Sequence, residues 1–352
     1  MKKLFLAIVG ILLVVVVVFI LKPSPIDPAA YTPPEPPGMT GVLAPNTLLQ
    51  KAETLAEGKI NGPEEVAVDE QGRVYGGTQD GKIKRLLADG TVETFADTGG
   101  RPLGMQFDAN HNLIVCDAYK GLLSINSEGG IKVLTDSAEG VAFQFTDALD
   151  IADDGSIYFT DASSKFNQSQ YLYDLLEARP HGRFMRYDPA ADKVEVLLKD
   201  LYFANGVALS EKQDFVLINE TYRYRIIRYW RKGPKAGTRE IFIDNLPGFP
   251  DNISGNDRGT FWLALFTVRN DIMDAIHPYP FLKAQVAKLP KAFWPAPQPY
   301  GLVLALNEDG EIIKSLHDPS GKHLKEITSA RQFGDHLYLG SLHNDRIGKY
   351  PY

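Results

Sequence analysis

Six side chains each stand just ahead of a short, apolar, strand-like run: Glu64, Arg101, Asp147, Asn205, Asp251 and Asn252. Five of them offer oxygen, three as carboxylates and two as amides. Brought to one point, three carboxylates would repel and raise one another's pKa. A hard divalent cation resolves that repulsion. An all-oxygen set that includes amides suits Ca²⁺, which takes about 6–8 oxygens, better than Zn²⁺, which prefers nitrogen and sulfur. Any one Asp or Asn before a strand is usually a turn cap. The shared position, phrase after phrase, is what points to a common site. Arg101 could add positive charge for an oxyanion or a substrate carboxylate, or it could serve in a structural salt bridge.

Bringing these residues together requires a ring of repeats, and the chain has one. From about residue 48 a phrase recurs: a short apolar strand, a polar turn, then a second apolar strand. It begins at Glu65-Val66-Ala67-Val68, Gly104-Met105-Gln106-Phe107, Ala148-Leu149-Asp150-Ile151, Gly206-Val207-Ala208-Leu209, Asp251-Asn252-Ile253-Ser254 and Glu326-Ile327-Thr328. Turns such as Asp89-Gly90, Gly129-Gly130, Asp154-Gly155 and Asp309-Gly310 supply hairpin chemistry. No long amphipathic helix alternates with the strands, which argues against a parallel βαβ sheet. Repeats of roughly 40–50 residues with about four strands each predict a propeller. The expected fold class is all-β, a six-bladed β-propeller with four-stranded antiparallel blades, preceded by one N-terminal transmembrane helix. Seven blades is the alternative if an insertion hides one. The last phrase lacks an outer strand, and segment 47–60 could supply it and close the ring. Two intervals are stretched, near 166–181 and 267–299. The second carries Ile272, Met273, Ile276, Phe281, Leu282, Val286, Phe293 and Trp294. These would form a lid, touch the membrane or pack on the propeller itself.

The N-terminus reads differently. Met1-Lys2-Lys3 is followed by 18 residues, Leu4 to Leu21, without a charge. At about 1.5 Å per residue they span roughly 27 Å, close to the hydrocarbon thickness of a bilayer. A cleaved leader has a shorter apolar region and a small-residue cleavage site, whereas here Lys22-Pro23 follows at once. The expectation is an uncleaved signal anchor over 1–22, a proline-rich linker over 23–46 and the propeller over 47–352. Lys2 and Lys3 would stay in the cytoplasm. The propeller would then be extracytoplasmic, in the periplasm if the source is bacterial.

The 352 residues are 44% hydrophobic and 23% charged, an ordinary globular composition. The net charge of −7 argues against nucleic acid as a partner. Arg223, Arg225, Arg228, Arg231 and Lys232 alternate with apolar residues and are expected on the solvent face of a strand. The single cysteine, Cys116, excludes an intrachain disulfide and sits in a core-like run, Leu113-Ile114-Val115. No Gly-x-Ser-x-Gly elbow, His-Glu-x-x-His or phosphate loop competes with the oxygen cluster.

Long, ordered motifs add a resemblance. They are Gly62-Pro63-Glu64, Arg101-Pro102-Leu103-Gly104, Tyr158-Phe159-Thr160-Asp161-Ala162-Ser163-Ser164, Asn205-Gly206-Val207-Ala208-Leu209-Ser210, Leu246-Pro247-Gly248-Phe249-Pro250-Asp251-Asn252-Ile253 and Leu337-Tyr338-Leu339-Gly340-Ser341. Across roughly residues 45–350 the chain resembles the strictosidine synthase-like family, whose members include membrane-anchored ones. More distantly it resembles the gluconolactonase/regucalcin and paraoxonase families. The resemblance implies one central Ca²⁺ and, in several members, lactonase or arylesterase activity. It places Glu64, Asn205 and Asp251 at metal-ligand positions, with Asn252 where some relatives use a further ligand. Asp147 stands where relatives usually carry Asn, which keeps an oxygen and adds charge.

Two departures narrow the chemistry. Arg101 and a position near Asp117 fall where the paraoxonases carry a histidine pair, so a histidine-dyad mechanism is not expected. The glutamate used in strictosidine condensation has no secure match, which leaves that activity a remote alternative. The expected function is calcium-dependent hydrolysis of a small-molecule ester or lactone. The metal would polarise the carbonyl, with Asp251 or Asp147 orienting or deprotonating water and Arg101 assisting. The alternative of a different class is a calcium-stabilised scaffold that holds a partner at the membrane without turnover.

Overall fold

The computed structural model describes residues 1–352. Helix α1, Lys2–Leu21, is followed by six four-stranded antiparallel sheets arranged as the blades of a propeller. The innermost strands are Val66–Val68, Pro102–Phe107, Thr146–Ile151, Ala204–Leu209, Gly248–Gly255 and Ile327–Phe333. The count of six is met and no seventh blade is hidden. The last blade takes its outer strand from near the N-terminus: Glu53–Leu55 pairs antiparallel with Ile347–Pro351. The two ends of the propeller thereby clasp one another, and the ring is left with no open seam.

The core lies between the blades. In blade five the strand Thr260–Val268 is apolar almost throughout because both of its faces are covered. Phe261, Leu263 and Leu265 face one cluster, which Phe215 and Leu217 of blade four join. Trp262 and Ala264 face another, with Leu337 and Leu339 of blade six. Each fully buried Leu, Ile or Phe of this kind stabilises the fold by about 1.5–3 kcal/mol. Cys116 is fully buried within one such cluster. Inner strands also approach closely: a Cβ on Gly206 would lie 2.6 Å from the Asp251 carbonyl oxygen, so only glycine fits there.

Short helices interrupt the β-structure in two places. Helix α2, Tyr171–Glu177, rises from blade three, and helices α3, Asp271–Ile276, and α4, Pro280–Val286, from blade five. They correspond to the two stretched intervals of the sequence and stand on the same end of the propeller.

The proline-rich segment, expected to be an extended stalk, is extended but does not stand free. It lies across this helical end as a strap. Ile26 is buried in the largest core cluster. The Asp27 and Ala29 amides donate to the Glu177 side chain and carbonyl, each at 2.9 Å. The Tyr31 amide donates to the His277 carbonyl. Arg269 donates to the Pro34 carbonyl and Asn245 to that of Glu35. Proline removes donors but leaves carbonyls, and those carbonyls find side-chain partners on the propeller.

The arginine-rich stretch is also not a plain solvent face. Arg223 is buried, its guanidinium stacked between Tyr31 of the strap at 3.9 Å and Tyr202 at 3.6 Å from the ring centroids. Arg228 lies over Phe215, Trp230 and Phe242. The alternation of arginine with aromatic residues is therefore a packing pattern.

Glu177 anchors the strap. Its carboxylate is buried, and burial opposes its charge. Hydrogen bonds from His181 at 2.7 Å, from Lys165 at 2.6 and 2.8 Å and from the Asp27 amide outweigh that cost and hold its pKa down to about 2. A depressed carboxyl pKa stabilises the fold above its ordinary value near 4.5 and is lost as pH falls toward 2. Glu177→Gln is expected to cost about 2–3 kcal/mol at pH 7 and to speed amide exchange at Asp27 and Ala29. The difference in melting temperature from the parent should narrow as pH falls from about 5 to 2; a difference independent of pH would show that the charge is not what holds the strap.

Candidate functional site

Five of the six innermost strands share a defect that builds the site; Val66–Val68, behind Glu64, pairs in regular register. Their pairing with the second strand slips between Pro102 and Met105, Thr146 and Leu149, Ala204 and Val207, Pro250 and Ile253, and Ile327 and Ser329. A slip of this kind breaks strict in-out alternation and re-aims side chains. Asp147, Asn205, Asp251, Asn252 and Thr328 all lie inside these slips, so their side chains turn toward the axis.

Acids at the ends of the second strands pin the approach to three of these slips. Asp117 accepts from the Arg101 amide at 2.9 Å, Asp161 from the Phe145 amide at 2.8 Å and Glu220 from the Tyr202 amide at 2.8 Å. Further bonds cross between blades. Thr160 donates to the Asn205 carbonyl, Asn219 to the Asp251 carbonyl, and both Thr328 and Ser329 to the Glu64 carbonyl.

Glu64, Asp147, Asn205 and Asp251 form the floor of one cavity of about 140 Å³, and Asn252 is buried beside them. The amide nitrogen of Asn205 donates to Asp251 at 2.9 Å, and that of Asn252 to Glu64 at 2.7 Å. Both amides thus turn their nitrogens onto carboxylates and leave their oxygens free. Three buried oxygens, Glu64 Oε2, Asn205 Oδ1 and Asn252 Oδ1, have no hydrogen-bond partner. Leaving such atoms unpaired costs about 1–3 kcal/mol each, more for charged groups.

Burial pushes the Asp251 carboxyl up to about 8, against a lowering by the Asn205 amide. Burial also drives Glu64 and Asp147 well above the usual carboxylate range, and the neighbouring acids add to it. Arg101 opposes the rise at both.

These residues fit a hard cation. The acids alone form no group of three arranged for metal ligation. The two amides, hydrogen-bonded to Asp251 and Glu64, complete the set with free oxygens, and no nitrogen or sulfur ligand competes. Oxygen donors with unpaired lone pairs, short of positive charge, are what Ca²⁺ satisfies.

Arg101 is placed otherwise than as a cavity residue. It is buried, but it is not part of the cavity wall. Its guanidinium donates to the Gly62 carbonyl at 2.9 Å and to the Gly77 carbonyl at 3.4 Å. It stitches the loops of the first two blades together behind Glu64 and reaches the site only through its charge.

The sequence reading missed two parts. Thr328 brings the sixth blade to the cavity at the position the acids occupy in other blades. The wall above the floor carries Phe145, Phe203 and Phe249, each two residues before a floor residue. Phe145-Thr146-Asp147, Phe203-Ala204-Asn205 and Phe249-Pro250-Asp251 form a Phe-x-Asp/Asn repeat that brings both of its ends to the cavity in three successive blades. The signal was present in the spacing. Helix α2 and segment 266–297 complete the wall with Leu172, Leu175, Phe266, Met273, Pro295 and Pro297. The cavity is an apolar well over a polar floor.

The chain is similar to known proteins at two levels, in sequence and in fold. Residues 147–234 match the family described as Strictosidine synthase, and residues 41–86 the one described as Strictosidine synthase-like, N-terminal. The adipocyte plasma membrane-associated protein of Rattus norvegicus is 39% identical over 93% of this chain and 93% of its own length. The strictosidine synthase-like 6 protein of Arabidopsis thaliana is 38% identical over 98% of this chain and 94% of its own. Among solved structures, a gluconolactonase of Xanthomonas campestris superposes with a TM-score of 0.63 at 18% identity, covering 94% of this chain and 99% of its own. A calcium-binding regucalcin of Agrobacterium tumefaciens gives 0.61 at 13% identity, covering 84% and 92%. At these identities the solved structures establish the fold alone.

Acids with raised pKa favour the folded state while protonated. That contribution is complete below about pH 4 and is lost as pH rises through the folded value, about 8 for Asp251. With divalent cations chelated, the melting temperature is therefore expected to fall between pH 5 and pH 8. With Ca²⁺ in excess it should stay level, because the bound form is the ionised one. Asp147→Asn should flatten the chelated profile. A chelated protein whose melting temperature does not change over this range would show that the acids are not held as described.

Proposed function

The chain belongs to the family of strictosidine synthase-like and adipocyte plasma membrane-associated proteins, and from that premise we propose that it is a calcium-dependent hydrolase of esters or lactones acting at the propeller axis. The observation that carries this reading is the set of unpartnered oxygens, Glu64 Oε2 and Asn205 Oδ1 in the floor of an apolar well and Asn252 Oδ1 buried beside them. A floor that binds no ion would satisfy its own polar atoms, and the apolar cavity above it leaves room for a substrate against the ion.

Glu64, Asp147, Asn205, Asp251 and Asn252 would hold the ion. Bound there, Ca²⁺ would polarise a substrate carbonyl and stabilise the developing oxyanion. The chain's own groups do the rest. Phe145, Phe203 and Phe249 hold the apolar part of the substrate above the floor and exclude bulk water. Asp251 lines the cavity, and its carboxylate, ionised when the cation is bound, would orient the attacking water and take its proton. Asp147, also in the floor, is the second candidate for that role. Arg101 acts from behind by favouring the ionised forms of Glu64 and Asp147.

Helix α1 is long and apolar enough to cross a bilayer. We place Lys2 and Lys3 on the cytoplasmic side and the propeller outside the cytoplasm, following the distribution of positive charge. The partners are then a small-molecule ester or lactone and the membrane, with no role for nucleic acid.

The test is hydrolysis of phenyl acetate and a series of γ- and δ-lactones by the purified full chain, with Ca²⁺ and with chelator. Turnover is expected to need Ca²⁺ and to fall about 100-fold or more in Asp251→Asn, with the melting transition preserved. Absence of turnover on every ester and lactone, with Ca²⁺ still raising the melting temperature, would overturn the hydrolase reading in favour of a calcium-stabilised scaffold.

A further inference from the structure

We propose that the end of the propeller bearing the cavity mouth rests on the same bilayer that α1 enters, so that the cavity opens toward lipid and takes lipophilic ligands from it. The proposal rests on α1 spanning the membrane and not on hydrolysis.

The tether is the first argument. Helix α1 ends at Leu21, and Ile26 is already buried in the cluster that contains Leu175, Phe203, Phe249 and Met273 of the cavity wall. Five extended residues reach at most about 17 Å. Asp27 is then pinned to Glu177, the last residue of α2, the helix that supplies Tyr171, Leu172 and Leu175 to the cavity. The end of the anchor cannot move far from the mouth while the strap is in place.

The second argument is direct contact. The Lys288 ammonium, just beyond α4, donates to the carbonyls of Ile20 at 2.9 Å and Phe19 at 3.4 Å. These belong to the last turn of α1, where the Phe19 carbonyl also accepts from the Lys22 amide and helix-end carbonyls need partners from outside the helix. The segment that walls the cavity therefore caps the anchor at the level where it leaves the apolar layer.

The third is an inverted surface. In the α3–α4 segment the polar His277 and Lys283 are fully buried, together with Met273 and Ala287. Most outward positions are apolar, with Asp271 the acidic exception: Ile272 is 62% exposed, Phe281 60%, Leu282 44% and Phe293 73%. A water-facing surface does not gather such residues without a partner. Aromatic and aliphatic side chains flanked by lysines, here Lys22, Lys288 and Lys291, are the composition of a segment seated at the headgroup boundary. The inner side of the same segment, through Phe266, Met273, Pro295 and Pro297, is the cavity wall. A ligand leaving the acyl layer would pass from one apolar surface to the next.

Cys116 is the only cysteine and is buried, so single introduced cysteines can be labelled cleanly. Full-length Phe281→Cys and Phe293→Cys would carry an environment-sensitive fluorophore in phosphatidylcholine/phosphatidylglycerol vesicles containing nitroxide-labelled acyl chains. Phe333→Cys, beside the opening at the opposite end of the channel, and Val133→Cys, on an outer strand, serve as controls; both residues are exposed. The expected result is severalfold quenching at 281 and 293 and none at 333 or 133. Unquenched labels at 281 and 293, quenching at 333 instead, or equal quenching at all four would each overturn the proposal. Ile272→Cys provides a further position on the same surface if either phenylalanine variant fails to fold. Hydrolysis enters none of these readouts, so failure of the docking proposal and failure of the hydrolase reading remain distinguishable.

Discussion

Glu64, Asp147 and Asp251 place three carboxylates in a space nearly closed to water, with Arg101 as the cation that opposes them from behind. Such an arrangement opposes folding unless something offsets it. Much of the local architecture reads as the means of holding it. The slips in the inner strands aim the side chains inward, and Asp117, Asp161 and Glu220 fix the backbone ahead of them. Hydroxyls of Thr160, Thr328 and Ser329 tie one blade's inner strand to the next. The clasp between Glu53–Leu55 and Ile347–Pro351 keeps the ring from relaxing outward and separating the acids.

How much of this could be read from the chain depends on which physical rule is in play. Strand phrases and turns obey local rules, so the six blades and the outer strand lent from the N-terminal side were legible. The floor residues were legible for a related reason. In a ring of repeats, equivalent positions must converge, and Asp147, Asn205 and Asp251 occupy one. Thr328 occupies it too, but a threonine in place of an acid draws no notice. The Phe-x-Asp/Asn repeat was equally open to inspection. It went unused because each phenylalanine alone reads as ordinary core.

The strap shows where local rules stop. Seven prolines between 23 and 37 describe a backbone that cannot form a helix or join a central strand. They do not say what that backbone touches. Its ties run to Glu177, Asn245, Arg269 and His277, residues some 150 to 250 positions away, through carbonyls and amides that every sequence possesses. The arginines near 223–231 failed as a reading for the same reason: their partners, Tyr31 and Tyr202 among them, are set by tertiary placement. Arg101 is a third case. Its charge was legible, but its direction is fixed by the carbonyls of Gly62 and Gly77.

The gluconolactonase and regucalcin structures share the ring at 18% and 13% identity, so the ring alone does not decide what happens in it. What distinguishes a working axis from a structural one is whether the polar floor is finished. An axis that holds no cation gains nothing from buried oxygens without partners, and over time substitutions to apolar or self-satisfied residues would relieve it. Here the unfinished atoms sit together, beneath a well lined with phenylalanine, on the end of the propeller to which the strap leads. Asn205 and Asn252 sharpen the point. Each spends its donor on a carboxylate and keeps its acceptor free, an orientation that adds to the negative character of the floor. A floor arranged to accumulate acceptors is one arranged to receive positive charge, and the apolar well above it leaves little water to compete for that charge.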